Sequence, residues 1–222
     1  MKQKVLIATK FISNAIFNFF FPPLCAHCRS ILCRRAIFCS DCFASITPVV
    51  STELEVTKTK KIKLFAACAY KNPVRSLILA KNRSDIISSN QLGQLLWQMT
   101  YLKNIHFDFI VPIPLHWTRF ARRGFNQAEQ MANILSKQTG RPVLHILKRR
   151  KKTLFQATLS KSRRAENLKD AFVLGEEKVV RGCTFLLVDD LCTTGSTLKS
   201  AAHCLYQLKP ASIVAAVACR VV

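Results

Sequence analysis

The stretch FLLVDDLCTTGSTL, residues 185–198, decides the fold. Phe185 to Val188 reads as a buried strand, Asp189 and Asp190 are adjacent carboxylates at its end, and a hydroxyl-rich turn leads into a helix beginning near Ser196. The chain carries 34 Lys and Arg against only 12 Asp and Glu, so placing two acids side by side after an apolar strand calls for a local reason. The turn supplies one. Gly195 tolerates backbone angles that other residues avoid, Thr193, Thr194, Ser196 and Thr197 offer hydroxyls, and the N–H groups of a helix start point at an anion. Together these describe a phosphate cradle flanked by carboxylates able to hold a ribose through its hydroxyls. The competing reading is an ordinary strand-turn-helix with Asp190 or Thr194 as a helix cap.

Outward from this turn, apolar runs alternate with helical stripes, the pattern of a parallel α/β sheet. Leu64 to Tyr70, Phe107 to Pro112, Val143 to Leu147, Cys183 to Val188 and Ser212 to Cys219 are the expected strands. Helices are expected along Leu92, Leu95, Leu96, Met99 and Leu102, along Ala128, Met131, Ala132 and Leu135, and along Leu198, Ala201, Ala202, Leu205 and Leu208. Ligands of such folds bind at the carboxyl ends of the strands. After the strand ending near Pro112, the segment 119–127 offers Arg119, Arg122, Arg123, Asn126 and Gln127 around Gly124, suited to phosphate oxygens because the guanidinium fork binds them bidentately and a glycine permits close backbone approach. A solvated basic loop is the alternative. His116, also past a strand end, is a lesser candidate. A second basic stretch from Arg149 to Arg164 lacks helical stripes and reads as a loop over the site, with Gln156, Arg163, Arg164 and Asn167 as contacts. Its start, Arg149, Arg150, Lys151 and Lys152, reads equally as a nucleic-acid patch.

Five of the ten cysteines crowd into residues 25–42. Cys25 with Cys28 and Cys39 with Cys42 form two C-x2-C knuckles, each able to aim two sulfurs at one ion, and the pair completes the four-sulfur shell that zinc favours in structural sites. Cys33 or His27 can replace one ligand. Clustering beside a large apolar domain favours metal in a reducing compartment over a disulfide scaffold, so a cytoplasmic location is expected. Cys68, Cys183, Cys204 and Cys219 read as small core residues. Residues 1–22 are expected to form an amphipathic helix packing on the body of the protein or, less simply, on lipid. They fall short of a signal peptide or a membrane span. With 222 residues, half of them apolar, the formal charge of +22 belongs to a folded basic protein and excludes a disordered polycation. Its field favours phosphate-bearing partners.

The motif resembles the binding signature for 5-phosphoribosyl 1-diphosphate (PRPP) of type I phosphoribosyltransferases. With VPIPLHWTRFARRGFNQAEQMA upstream, RRKKTLFQATLSKSRRAENLKDAFVL and the double knuckle after FFPPLC, the chain resembles the ComF family of competence proteins, also called the ComFC or GntX-like group, from about Phe17 to Val222. The resemblance implies a type I phosphoribosyltransferase-like α/β domain, a parallel sheet flanked by helices, over residues 58–222. Residues 1–57 would hold the terminal helix and a small zinc ribbon, with TKTKKIK from about Lys58 as a basic linker. It further implies Asp189 and Asp190 on the ribose hydroxyls, Thr193, Thr194, Gly195, Ser196 and Thr197 on the 5′-phosphate, and magnesium on the diphosphate. Single-stranded DNA and other competence proteins are the implied partners, and no transmembrane segment is expected. Two function classes follow: a DNA-handling competence factor with a PRPP-type pocket, or a transferase of phosphoribose to a base or amine.

Overall fold

The computed structural model describes residues 21–80, 86–149, 171–175 and 181–222. The expected amino-terminal helix falls almost wholly outside these residues, as do Arg150, Lys151, Lys152, Gln156, Arg163, Arg164 and Asn167 of the expected loop.

Seven strands are described: β1 (Thr52–Glu55), β2 (Lys61–Ala69), β3 (Phe109–Pro112), β4 (Leu147–Arg149), β5 (Phe172–Leu174), β6 (Thr184–Cys192) and β7 (Ser212–Arg220). The helices are α1 (Ser40–Ala44), α2 (Val74–Ala80), α3 (Ile86–Met99), α4 (Trp117–Arg123), α5 (Gln127–Thr139) and α6 (Ser196–Leu205). The main sheet has the order β1-β2-β7-β6-β3; every pairing is parallel except β1 with β2. A parallel sheet must be covered on both faces, which is why its central strands are continuous apolar runs. Alternation sorts their side chains into two layers. Leu186, Val188, Val214 and Ala216 meet α2, α3 and α5 on one side, while Phe185, Leu187, Ala215 and Val217 meet α6 on the other. The antiparallel pair β4–β5 lies on the α6 side.

Several boundaries differ from expectation. Residues 57–60 form a hairpin turn, closed where the N–H groups of Val56 and Thr57 donate to the Lys60 carbonyl, and Lys61 to Lys63 already belong to β2. The expected basic linker is therefore a turn, and position 57/58 falls within it. On its far side β1 is the edge of the main sheet, its outward Glu53 and Glu55 at 3.6 and 3.8 Å from Lys61 Nζ. The strand expected over 143–147 is split: Val143 makes a single bridge to Ile110, and the regular strand begins at Leu147 because it pairs with β5 instead of the main sheet. Arg149, expected to open a loop, is the last residue of β4, with its guanidinium 5.5 Å from the centre of the Phe172 ring.

Candidate functional site

The carboxyl ends of β3 and β6 lie side by side, Pro112 in register with Val188, and the Ile113 N–H donates to the Val188 carbonyl at 2.9 Å. This brings the signature and the arginine segment to one edge of the sheet. β6 continues to Cys192, so Asp189 and Asp190 sit on the strand itself, which runs four residues further than the apolar run indicates and is held there by pairing with β7. Regular alternation sends neighbours to opposite faces. Here Val188 and Leu191, three apart, both pack toward the α3 layer, so the alternation breaks across the two acids. Both are half-buried, and Asp189 Oδ1 accepts from the Asp190 N–H at 2.9 Å.

The turn after them is built around Gly195, which stands at the N-cap of α6 with φ +74°, a region glycine enters without the Cβ penalty. A methyl group there would come within 3.1 Å of both Leu54 methyls. The signature thus rests on β1, a strand the sequence conceals. Thr194 Oγ1 donates to Ser196 Oγ at 3.1 Å and accepts from the Ser196 N–H at 3.4 Å, which orders the hydroxyls at the start of the helix. Burial pushes the Cys192 thiol up. Arg220 and Lys199 pull it the other way, so two cations that belong to no sequence motif lie close to this turn. Arg220 also donates from Nη1 to Thr52 Oγ1 at 2.8 Å, again tying β1 to the site.

Opposite the turn, Asn126 caps α5 by accepting from the Ala128 N–H at 3.2 Å, and its Nδ2 donates to the Ile113 carbonyl at 3.0 Å. One amide therefore fixes the helix start to the end of β3. Gln127 is buried, with Oε1 accepting from Arg123 Nη1 at 3.2 Å and Nε2 without a hydrogen-bond partner among the described residues. Arg122 is exposed at the last turn of α4. Gly124 is the left-handed C-cap of α4 at φ +79°, and a Cβ placed on it would meet no atom of the protein within 4 Å. His116, the lesser candidate, is the N-cap of α4 and uses Nδ1 to accept from the Thr118 N–H at 3.4 Å.

A second centre lies at the amino-terminal end. The sulfurs of Cys25, Cys28, Cys39 and Cys42 all lie within 4.8 Å of one another. Sulfurs about 2.3 Å from a tetrahedral zinc ion stand roughly 3.8 Å apart, and those of Cys28 and Cys39 are 3.7 Å apart. The cluster can hold a metal ion such as zinc. Its chemistry asks for one: desolvation and the neighbouring thiols push Cys42 up to about 12, whereas at Cys25 burial is outweighed by the N–H groups of Cys39, His27 and Cys28, leaving it at about 6. A bound cation lets all four be thiolates together. Neither open alternative joins them, since Cys33 lies outside the cluster and His27 Nδ1 is 3.2 Å from Ser76 Oγ. The module's buried Cys25, Leu32, Phe38 and Ile46 merge with the α3 layer of the main core instead of forming a core of their own. A cleft of about 1250 Å³ runs between the module and α3. No helix among the described residues is long and apolar enough to cross a membrane.

A mostly parallel sheet with paired acids, a hydroxyl loop and a helix start at one strand end is the architecture of the type I phosphoribosyltransferase class, and residues 90–221 match the phosphoribosyl transferase domain family. The chain is 32% identical to competence protein F of Haemophilus influenzae over 84% of its own length and 80% of that protein. It is 34% identical to competence protein ComFC of Bacillus subtilis over 49% of this chain and 42% of that one. With the DNA utilization protein YhgH of Escherichia coli K12 it shares 37% identity over 51% of this chain and 49% of that one. The chain belongs to the competence protein F family, a phosphoribosyltransferase-type domain preceded by a four-cysteine module.

Proposed function

We propose that this chain binds PRPP, or a closely related ribose phosphate, with magnesium at the end of β6, and that it handles incoming single-stranded DNA in the cytoplasm during natural transformation. The ligand reading is carried by one observation: Asp189 and Asp190 adjoin a hydroxyl turn at a helix start, beside a strand end that leads into Arg122 and Arg123. Asp189 and Asp190 hold the ribose hydroxyls. Thr193, Thr194, Gly195, Ser196 and Thr197 receive the 5′-phosphate through N–H and hydroxyl groups. Arg122 and Arg123 face the diphosphate, with Asn126 and Gln127 behind them holding the segment in place. Magnesium belongs on diphosphate and ribose oxygens, in keeping with its habit of retaining waters and using few protein carboxylates. Arg150, Lys151, Lys152, Gln156, Arg163, Arg164 and Asn167, which lie outside the described residues, remain candidate contacts of the ligand or of DNA.

Zinc in the four-cysteine centre is structural, because four thiolates leave no open position for chemistry. It holds a module that precedes the ligand-binding domain, and because β1 belongs to that domain's sheet we draw the division before Thr52, ahead of the 57/58 boundary expected from the sequence. The nucleic-acid part of the reading rests on the +22 charge and on relatives that are competence and DNA utilization proteins. Other competence proteins are its expected partners.

Two experiments test the reading. The protein with PRPP, magnesium and a panel of bases should bind PRPP saturably without releasing diphosphate; release with any one base would make it a transferase instead. Single-stranded DNA binding should weaken steeply with salt, with a log–log slope of about −0.7 per phosphate neutralised, and a flat profile would contradict an electrostatic grip.

A further inference from the structure

Helix α4 is anomalous. None of its described side chains is buried, so no apolar stripe anchors it to the core. Its caps hold it: His116 accepts from Thr118 at one end, and at the other the Gly124 N–H donates to the Phe120 carbonyl at 2.7 Å. Yet this solvent-facing helix carries two large aromatics, Trp117 at 61% exposure and Phe120 at 48%. Three residues apart, they are neighbours on one helix face. The His116 ring lies 6.1 Å from the Trp117 ring, tilted by 35°, and continues the aromatic surface.

Charge indicates what such a surface takes. From residue 109 to 128 no acidic residue occurs, whereas α4 contains Arg119, Arg122 and Arg123. Exposed aromatic faces beside guanidinium groups suit a ligand that has planar rings and phosphates alternating along a flexible chain. A duplex keeps its bases stacked inside, so only a single strand offers both. The position agrees: α4 begins four residues after Ile113, whose N–H is bonded to β6 at Val188, directly before Asp189.

Building on the single-strand reading above, we propose that Trp117 and Phe120 form a stacking platform for the bases of single-stranded DNA lying across α4. The strand then runs past the ribose-phosphate site, and the two ligands occupy adjoining surfaces of one sheet edge.

The test uses the full chain and an oligo(dT) of about 15 nucleotides, the span of a typical single-strand site. Emission of Trp117 should be quenched saturably, and the quenching should vanish in Trp117→Leu, which leaves only the half-buried Trp97 as a reporter. Loss of one stacked base should weaken binding by about 5- to 150-fold. Trp117→Leu with Phe120→Leu should weaken it further, while Trp117→Phe should restore most of it. PRPP affinity and circular dichroism should stay those of the unaltered chain. If the double variant binds oligo(dT) within twofold of the unaltered chain, the platform is refuted while the single-strand reading stands. If the unaltered chain binds no oligo(dT) at low salt, both fail. A dimer that Trp117→Leu dissociates without changing DNA affinity would assign this face to a second copy and overturn the proposal.

Discussion

Substituting Gly195 by alanine probes the site through the backbone conformation of its hydroxyl turn. At φ +74° an L-residue is disfavoured by roughly 1–2 kcal/mol. The added methyl also meets Leu54 Cδ1 and Cδ2 at 3.1 Å, inside ordinary contact, and overpacking of this kind costs about 1–3 kcal/mol. Leu54 is half-buried on an edge strand and yields partly, so the sum is about 2–4 kcal/mol. For a chain of this length each kcal/mol lowers Tm by roughly 2–4 °C, which gives a fall of about 5–15 °C by calorimetric or fluorescence melting. The two contributions separate in a double-mutant cycle. Leu54→Ala in the Gly195→Ala background should remove the crowding, so the double variant is more stable than the sum of the singles, but the backbone cost remains. PRPP affinity should fall with the first substitution, because the turn that presents Thr194 and Ser196 shifts. A Gly195→Ala protein that melts within a degree of the unaltered chain and binds PRPP normally would refute both the strain and the role of β1 as its support.

Two other expectations concern remoter parts of the molecule. Cys39→Ser should lose metal by elemental analysis and lower Tm, and full metal retention would mean that a different ligand set holds the ion. At Asp108, the Thr184 N–H at 2.8 Å, with His106 beside it, holds the carboxyl below the usual carboxylate range. A depressed pKa contributes stability above the unfolded carboxyl value near 4 and loses it as pH falls through the folded value. The Tm gap between the unaltered chain and Asp108→Asn should therefore be full at pH 7 and should narrow as pH falls below the unfolded carboxyl value and on through the lower folded one; a gap independent of pH would argue against the pairing.

The site is legible in the sequence where several signals coincide. An apolar run, two acids in an acid-poor chain and a glycine among hydroxyls locate the start of β6 and the start of α6 without reference to tertiary structure. Three helical stripes succeed for a related reason: Leu92, Leu95 and Leu96, like Met131, Ala132 and Leu135, are core residues at helical spacing. Leu102 and Leu208 follow the same period, yet both lie in short 3₁₀ turns beyond the helix ends. What stays hidden lies at edges and on surfaces. β1 alternates Thr52 and Leu54 with Glu53 and Glu55, and an edge strand with its charges outward beside a lysine-rich turn is hard to tell from a linker. Its role emerges only when Leu54 is found against Gly195 and Thr52 against Arg220. α4 passes for a basic loop because its aromatics face solvent, so no buried stripe marks it as a helix. The C-terminal half of β6 escapes notice because carboxylates end an apolar pattern even where backbone pairing continues.

The central claim is that the two adjacent carboxylates grip a ribose. Titration calorimetry of PRPP with magnesium tests it on the unaltered chain and on Asp189→Asn combined with Asp190→Asn, a change that preserves shape and removes charge. Saturable binding to the first and loss of detectable binding to the second is the expected result. Equal affinity for both would contradict the assignment.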